Sequence, residues 1–385
     1  MPKSWDIFCA VVDNFGDIGV CWRLARQLAG EQGAAVRLWV DKLESFQALC
    51  PQVDCRLAVQ TLQGVEVRRW SPVFEQDATI VPAEVVVEGF GCRLPAGYLA
   101  AMAARTPQPV WINLEYLSAE DWVESHHRMP SPHPQLPLVK YFFFPGFTEN
   151  TGGLPAERNL APRREAFQRD AAAVNTFRAA IGVAPAQPDT LVTSLFCYED
   201  AAVPELLDAW TKGASNIECL VPAGPPLRRA AALTGPLRPG EIWRSGSLQI
   251  TAIPFLDQDA YDRLLWASDL NFVRGEDSFV RAQLAARPLV WQAYAQDAGA
   301  HLLKIDAFFW RYCRGMDGAL ATALRQFWQA WNQPLEGRPD WPALWQAILA
   351  TRPAWQAGAQ AWATRVQSAP SLADNLAFFC QSKLK

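Results

Sequence analysis

Short, continuously apolar segments recur along the chain, and helical patterns lie between many of them. Residues 5–12 form the first such segment and residues 35–40 the next, with apolar residues at helical spacing in between. A strand that is buried on both faces of a parallel sheet has this continuous apolar character, and parallel neighbours are usually joined by a helix. The pattern therefore predicts an α/β fold with parallel sheets.

The strand and helix pattern begins again after residues 182–188, which have the composition of a linker. The later apolar segments cover residues 190–198, 217–222, 248–254, 269–273 and 289–292. A chain of 385 residues is long enough for two domains with separate cores. We expect two Rossmann-like domains facing across a cleft, 1–182 and 183–361, with a C-terminal helical segment, 362–385, packing back on the first domain.

Composition excludes several classes of protein. Half of the residues are hydrophobic, and the formal net charge of −4 argues against a general nucleic-acid binder. No apolar run approaches the roughly 20 residues that span a bilayer, and residues 1–6 lack a signal-peptide pattern, so we expect a cytoplasmic protein without a membrane segment. The nine cysteines form no C-x-x-C pair and are expected to be reduced, structural thiols.

A polar turn follows the apolar segment 269–273. It contains Arg274, a permanent cation suited to phosphate, and the carboxylates of Glu276 and Asp277, which can hold sugar hydroxyls. Ser278 is placed to cap the helix that follows, whose free N–H groups favour anions. This mixture predicts a site for a phosphorylated and hydroxylated ligand such as a nucleotide sugar. In the alternative, Asp277 and Ser278 only cap a helix, and Arg274 pairs with Glu276 on the surface.

A second polar turn, residues 13–19, follows the first apolar segment. It carries glycines but does not match G-x-G-x-x-G, which disfavours a dinucleotide cofactor. Asp13 and Asp17 lie four residues apart at the carboxyl end of a predicted strand, where α/β sheets bind their ligands. They can therefore contact a substrate. The alternative is that Asp17 caps the helix and Asp13 bonds the turn backbone.

Residues 118–153 are rich in proline, histidine, glycine and aromatic residues. A long aromatic loop in a compact domain is usually functional, and the alternative is a hydrophobic hairpin that seals the first sheet. The segment also holds His126, His127 and His133, but no cysteine accompanies them. We therefore predict no metal site.

Four motifs in combination carry a resemblance to a known family. They are residues 13–17, residues 196–198, residues 254–255 with Tyr261 beyond them, and residues 274–279. Over essentially its whole length the chain resembles the protein-arginine rhamnosyltransferases of bacterial elongation factor P. The resemblance implies a GT-B fold, no metal ion and no cofactor. It also implies that the C-terminal domain holds a dTDP-sugar donor and that the protein acceptor docks on the N-terminal domain.

The resemblance implies roles for individual residues. The implied donor contacts are Phe196, Tyr198, Phe255, Gln258, Tyr261, Arg274, Glu276, Asp277, Ser278 and Tyr294. Aromatic faces stack on bases, so the four residues Phe196, Tyr198, Phe255 and Tyr261 are expected to wall the thymine ring. Asp17 matches the catalytic base, with Asp13 and Glu276 in support, and the implied contacts of the first turn include the backbone of Asn14, Phe15 and Gly16.

The function implied is inverting transfer of rhamnose from dTDP-β-L-rhamnose to an arginine side chain of elongation factor P. Elongation factor P would be the protein partner, and no nucleic acid or membrane partner is expected. Two alternatives stay open at this stage. One is a GT-B transferase with another nucleotide sugar or a small-molecule acceptor, and the other is a non-catalytic nucleotide-sugar binding protein.

Overall fold

The computed structural model describes residues 1–12, 15–70, 80–295, 299–332 and 339–384. The predicted site residues Asp13 and Asn14 lie outside these ranges. The chain divides into two compact units. The first comprises Met1–Arg158 with Val366–Lys385, and the second comprises Asn159–Arg365.

The first unit contains an eight-stranded sheet in the order β3-β4-β2-β1-β5-β6-β8-β7. Its strands are β1 (Ser4–Cys9), β2 (Ala35–Val40), β3 (Val59–Leu62), β4 (Val65–Arg69), β5 (Val85–Gly89), β6 (Val110–Leu114), β7 (Pro130–Pro132) and β8 (Val139–Phe143). Its helices are α1 (Gly16–Gln32), α2 (Leu43–Leu49), α3 (Ala96–Ala104), α4 (Trp122–His126) and the chain-terminal α14 (Leu372–Lys383). The edge strands β3 and β7 run antiparallel to their neighbours, and the other pairs are parallel.

The strand β1 shows why the first apolar segment folds as it does. It pairs in parallel with β2 on one side and β5 on the other, and five of its six residues are buried. A glycine ends the helix α1 that follows. Gly30 lies within it, and the helix stops before Gly33, whose φ of 66° is left-handed and suits glycine.

Part of the aromatic segment 118–153 belongs to the sheet. β8 pairs in parallel with β6 and antiparallel with β7, so β7 and β8 form a hairpin that extends the sheet at its edge. Residues 130–132 and 139–143 are therefore strands of a hairpin, as in the alternative interpretation.

The second unit contains a six-stranded sheet in the order β11-β12-β10-β9-β13-β14. Its strands are β9 (Leu191–Leu195), β10 (Ile217–Pro222), β11 (Ile242–Ser245), β12 (Leu248–Ile253), β13 (Leu270–Arg274) and β14 (Leu289–Gln292). Its helices are α5 (Leu160–Arg169), α6 (Ala171–Ala180), α7 (Val203–Lys212), α8 (Pro225–Thr234), α9 (Gln258–Ala267), α10 (Asp277–Leu284), α11 (Ala300–Tyr312), α12 (Gly318–Asn332) and α13 (Trp341–Gln367). Among the strands described in this unit, the edge strand β11 is antiparallel to its neighbour and the other pairs are parallel.

The division between the units differs from the boundary predicted at residue 182. The helices α5 and α6 fall in the second unit, because Phe177 and Ile181 pack in one buried cluster with Val192 and Leu220 of its sheet. They are two separate helices. Asp170 separates them, and its carboxylate accepts hydrogen bonds from the first N–H groups of α6.

The C-terminal region is helical, as predicted, and its last part belongs to the first unit. There, Asn375 on α14 donates a hydrogen bond of 3.0 Å to the carbonyl of Gly152. Asp374 pairs with Arg158 at 2.7 Å. Among the helices that the structure describes, none has the length and apolar character that crossing a bilayer requires.

Candidate active site

The polar turn predicted to bind phosphate lies at the carboxyl edge of the second sheet. β9 and β14 flank β13 on either side. Phe196 and Tyr198 follow β9, Arg274 is the last residue of β13, and Tyr294 lies just after β14. The fold therefore brings four predicted donor contacts from three adjacent strands to one edge of the sheet, which is where α/β sheets bind ligands.

The side chain of Arg274 lies over two aromatic rings. Its guanidinium carbon is 4.8 Å from the centre of the Phe196 ring and 4.3 Å from that of Tyr198. These are cation–π contacts, and they hold the arginine at a position that is only 7% exposed. Further ring contacts extend the cluster, since Phe196 meets Tyr261 and Tyr198 meets Tyr294, both with ring centres 5.6 Å apart.

The turn after β13 is closed by its own side chains. Gly275 adopts a φ of 61°, in the left-handed region that favours glycine. The hydroxyl of Ser278 accepts a hydrogen bond of 3.1 Å from the Arg274 N–H and donates one to the Arg274 carbonyl. The prediction that Ser278 caps the helix is wrong, because α10 begins at Asp277 and Ser278 lies inside its first turn. Its hydroxyl instead ties the strand end to the helix start.

Gln258 and Asp277 meet at the starts of two helices. The amide of Gln258, the first residue of α9, donates a hydrogen bond of 3.3 Å to the carboxylate of Asp277, the first residue of α10. A buried bidentate pair between Arg281 and Asp262 joins the same two helices, with distances of 2.9 and 2.6 Å. Phe255 lies half-buried before α9, and Glu276 immediately precedes α10. The starts of α9 and α10 therefore meet beside Arg274 and its aromatic neighbours.

Asp17 lies in the first turn of α1, in the first unit, and is 1% exposed. Its carboxylate accepts a hydrogen bond of 2.8 Å from the backbone N–H of Val12 and one of 3.2 Å from the hydroxyl of Tyr116. The Phe15 carbonyl accepts from Gly19, and Gly16 is the first residue of the helix. Two donors from different segments thus fix the orientation of the Asp17 carboxylate.

Sequence reasoning missed Tyr116, which donates to Asp17. It follows β6, and its ring stacks on that of Phe90, which follows β5, with centres 4.5 Å apart and an interplanar angle of 18°. Tyr116 is 39% exposed, so it is an open aromatic surface beside a buried carboxylate. The sequence did contain a signal for Tyr116. It is a polar aromatic residue two positions beyond a buried parallel strand, and such a position lies at the edge of the sheet where ligands bind.

The three histidines of residues 126–133 make separate local contacts. His127 accepts a hydrogen bond of 3.1 Å from the Phe144 N–H, and burial lowers the pKa of His127 to about 4. His133 accepts from the N–H groups of Gln135 and Leu136. Within the described ranges, no group of three or more histidine, cysteine or acidic side chains is arranged to hold a metal ion.

The nine cysteines are free thiols, and seven of them are buried. Cys197 lies between the two aromatic residues that follow β9, and burial raises the pKa of its thiol. The Cys9 thiol contacts Cys21, and this hydrogen bond, together with burial, raises its pKa well above the ordinary value. Such thiols stay protonated and behave as small apolar groups.

The fold is that of the GT-B glycosyltransferases. MurG of Acinetobacter baumannii is similar over 99% of this chain and 100% of its own, with a TM-score of 0.52 and 14% identity. A glycosyltransferase from Rickettsia africae gives a TM-score of 0.51 at 11% identity. At these identities the likeness concerns the fold alone, and it agrees with the predicted pair of Rossmann-like units.

Closer relatives define the family. The model of the family described as Elongation-Factor P (EF-P) rhamnosyltransferase EarP matches residues 5–381. Protein-arginine rhamnosyltransferases of Pseudomonas putida and Pseudomonas aeruginosa are each 46% identical, over 100% and 98% of both chains respectively. A solved structure concerning EarP-mediated arginine glycosylation of translation elongation factor EF-P matches 98% of this chain and 99% of its own, at 33% identity and a TM-score of 0.69. The chain belongs to the EF-P rhamnosyltransferase family.

Proposed function

We propose that this protein transfers rhamnose from dTDP-β-L-rhamnose to an arginine side chain of elongation factor P, with inversion at the sugar carbon. The observation that carries the proposal is the family match over residues 5–381. The site in the second unit supports it, because it combines aromatic faces, a guanidinium and a helix start at one sheet edge. Since the proposed acceptor is a translation factor, we propose that the reaction takes place in the cytoplasm.

The second unit offers the groups that a nucleoside diphosphate requires. In our proposal the rings of Phe196 and Tyr198, with Phe255 and Tyr261, wall the thymine base. Arg274 and the N–H groups at the start of α10 bind the diphosphate, as does Tyr294. Gln258 lies beside this turn through its bond to Asp277 and is proposed to contact the base.

The proposed step forms a bond from a guanidinium nitrogen to the anomeric carbon and breaks the bond from that carbon to the diphosphate oxygen. The leaving dTDP takes the electron pair, and its growing negative charge is stabilised by Arg274 and by the positive end of α10. The transition state has oxocarbenium character, by analogy with glycoside hydrolysis. These protein charges allow departure of the diphosphate without a metal ion.

The nitrogen of a protonated guanidinium is a poor nucleophile, because its lone pairs are delocalised and its pKa exceeds about 12. We propose that Asp17 binds the acceptor guanidinium and accepts the proton lost as the new bond forms, with Asp13 and Glu276 in support. Tyr116 and the Val12 N–H already hold the Asp17 carboxylate, so its orientation is set before the acceptor arrives. Such positioning lowers the entropy cost of the step.

The proposal is tested by donor selection and by product stereochemistry. A thermal-shift series compares dTDP, dTDP-β-L-rhamnose, UDP-glucose and GDP-mannose, since a ligand of the folded state raises the unfolding temperature. We expect the two thymidine nucleotides to stabilise the protein most. NMR of the modified acceptor should show an α-linked rhamnose. Equal stabilisation by all nucleotide sugars, or a β-linked product, would contradict the proposed donor or the proposed inversion respectively.

A further inference from the structure

A single glutamine at the end of β14 joins the loops of the proposed donor site. Gln292 is 3% exposed, and its side-chain carbonyl accepts a hydrogen bond of 2.8 Å from the backbone N–H of Tyr198. Its amide donates a hydrogen bond of 2.8 Å to the carboxylate of Asp200. Both partners lie in the segment that follows β9, although β13 lies between β9 and β14 in the sheet. The side chain therefore connects the end of β14 to the loop after β9 across an intervening strand.

The same strand end also holds the turn after β13. The backbone carbonyl of Gln292 accepts from the Gly275 N–H at 3.1 Å. The indole of Trp291 donates a hydrogen bond of 2.8 Å to the Gly275 carbonyl. Asn332 on α12 in turn donates to the Trp291 carbonyl at 2.8 Å, which fastens the strand end to the helical layer. The end of β14 is thus a common anchor for the aromatic segment and the arginine turn.

The backbone position of Tyr198 determines where the cation–π contact forms. The Tyr198 ring lies 4.3 Å from the guanidinium carbon of Arg274 and 5.6 Å from the ring of Tyr294. A shift of the Tyr198 backbone would move the ring and remove the surface on which the guanidinium rests. Polar and aromatic groups bind a ligand best when neighbouring bonds have fixed them beforehand, because less ordering remains to be done on binding.

We propose that Gln292 is a positioning residue for the donor, and that its hydrogen bond to Asp200 holds Tyr198 and Arg274 ready for a nucleoside diphosphate. The inference rests on the proposed donor site. Gln292 acts through Tyr198 and is not assigned a contact with the substrate. Its amide uses both of its functions at once, accepting from one residue and donating to another. Neither a carboxylate nor an apolar side chain can therefore replace it while its partner Asp200 is a carboxylate.

The most informative substitution is at the exposed partner, Asp200. Asp200→Ala removes a negative charge and also the acceptor for Gln292. Electrostatics alone would tighten the binding of anionic dTDP, whereas the positioning role predicts weaker binding by about 3- to 20-fold, as for the loss of one hydrogen bond. Asp200→Asn keeps an oxygen that can accept from Gln292, so its affinity should lie closer to that of the wild type. Asp208→Ala is the control for loss of a charge: Asp208 is a partly exposed aspartate on α7 that pairs with Lys212 at 2.6 Å.

A double variant that exchanges the amide and the carboxylate between positions 292 and 200 tests the hydrogen bond itself. Gln292→Glu still accepts from the Tyr198 N–H but cannot donate to Asp200, and it places two carboxylates together, so dTDP should bind at least about tenfold more weakly. Adding Asp200→Asn reverses the donor and acceptor roles and restores the wild-type charge. The double variant should recover most of the affinity. Failure to recover, in a protein whose unfolding temperature matches the wild type, would overturn the assignment.

Calorimetry with dTDP measures these affinities without the acceptor protein. Steady-state transfer assays then separate an effect on donor binding from an effect on the chemical step. A positioning role in donor binding predicts a raised donor KM with kcat changed far less. If wild-type protein does not bind dTDP, the proposed donor site itself is refuted. If the wild type binds and Asp200→Ala binds equally well or more tightly, the donor site stands and the role of Gln292 is refuted.

Discussion

Replacing Arg274 with alanine should weaken dTDP binding strongly. Arg274 is the cation at the end of β13, and its guanidinium rests on Phe196 and Tyr198 at 4.8 and 4.3 Å. A hydrogen bond to a charged group contributes about 1.5–3 kcal/mol. One such bond to the diphosphate therefore corresponds to roughly a 10- to 150-fold change in Kd, since about 1.4 kcal/mol is tenfold. Arg274→Lys should fall in between, because lysine keeps the charge without the planar fork.

The same substitution should cost some stability. Each cation–π contact contributes about 0.5–2 kcal/mol, and the contribution is larger where the cation is shielded from water. Arg274 is only 7% exposed, so its two contacts are well shielded. We therefore expect the free energy of unfolding to drop by roughly 1–3 kcal/mol, which urea titration would measure. Calorimetry of dTDP on the folded variant measures the binding effect, with the exposed Arg238→Ala as a matched control. An unchanged Kd for Arg274→Ala would refute the assignment of this turn to the diphosphate.

Three further outcomes are expected. Asp17→Asn should reduce transfer about a hundredfold or more, as expected for loss of a general base, while dTDP affinity measured by calorimetry stays within about twofold; substantial residual transfer would contradict the base assignment. The pKa of His127 is lowered by burial from 6.5 to about 4, so the neutral ring contributes its full stability above pH 6.5 and loses it as the pH falls towards 4. His127→Asn keeps an acceptor for Phe144 and should flatten that part of the stability profile in urea titrations from pH 7 to 4; an unchanged profile would contradict this origin. Asp170→Ala removes the cap of α6 and should lower the free energy of unfolding by about 1 kcal/mol, and no change in the urea midpoint would contradict the capping role.

The parallel strands were the most predictable part of the fold. Residues 35–40, 217–222 and 289–292 are strands with the predicted bounds, because burial on both faces leaves a continuous apolar run in the sequence. The hairpin of β7 and β8 was harder to predict from the sequence. β7 consists of Pro130, Ser131 and Pro132, and prolines argue against a strand except at a sheet edge, which is where this strand lies.

The boundary between the units was predicted at the wrong place because a segment with the composition of a linker does not mark it. Residues 182–188 have the composition of a linker, but Phe177 in α6 and Ile181 at its end belong to the core of the second unit. That contact is made across the sequence with Val192 and Leu220, and helical periodicity does not indicate which sheet a helix will cover.

The site was predictable at the level of strand ends and not at the level of side-chain contacts. Arg274 was assigned from its place after a strand, and Phe196 and Tyr198 from the family resemblance. The structure adds that the guanidinium lies over both rings. Ser278 was assigned a cap because serine favours helix starts, yet the tight turn at Gly275 brings its hydroxyl to the preceding strand end. Which acceptor a hydroxyl selects depends on the path of the turn, which the sequence does not specify.

Transfer of rhamnose to an arginine of elongation factor P is tested most directly by the intact mass of that factor after incubation with this protein and dTDP-β-L-rhamnose. We expect the addition of one deoxyhexosyl unit, located on an arginine by fragmentation, with Asp17→Asn giving little product under the same conditions. Elongation factor P of unchanged mass in the presence of active, dTDP-binding protein, or a sugar attached to a residue other than arginine, would contradict it.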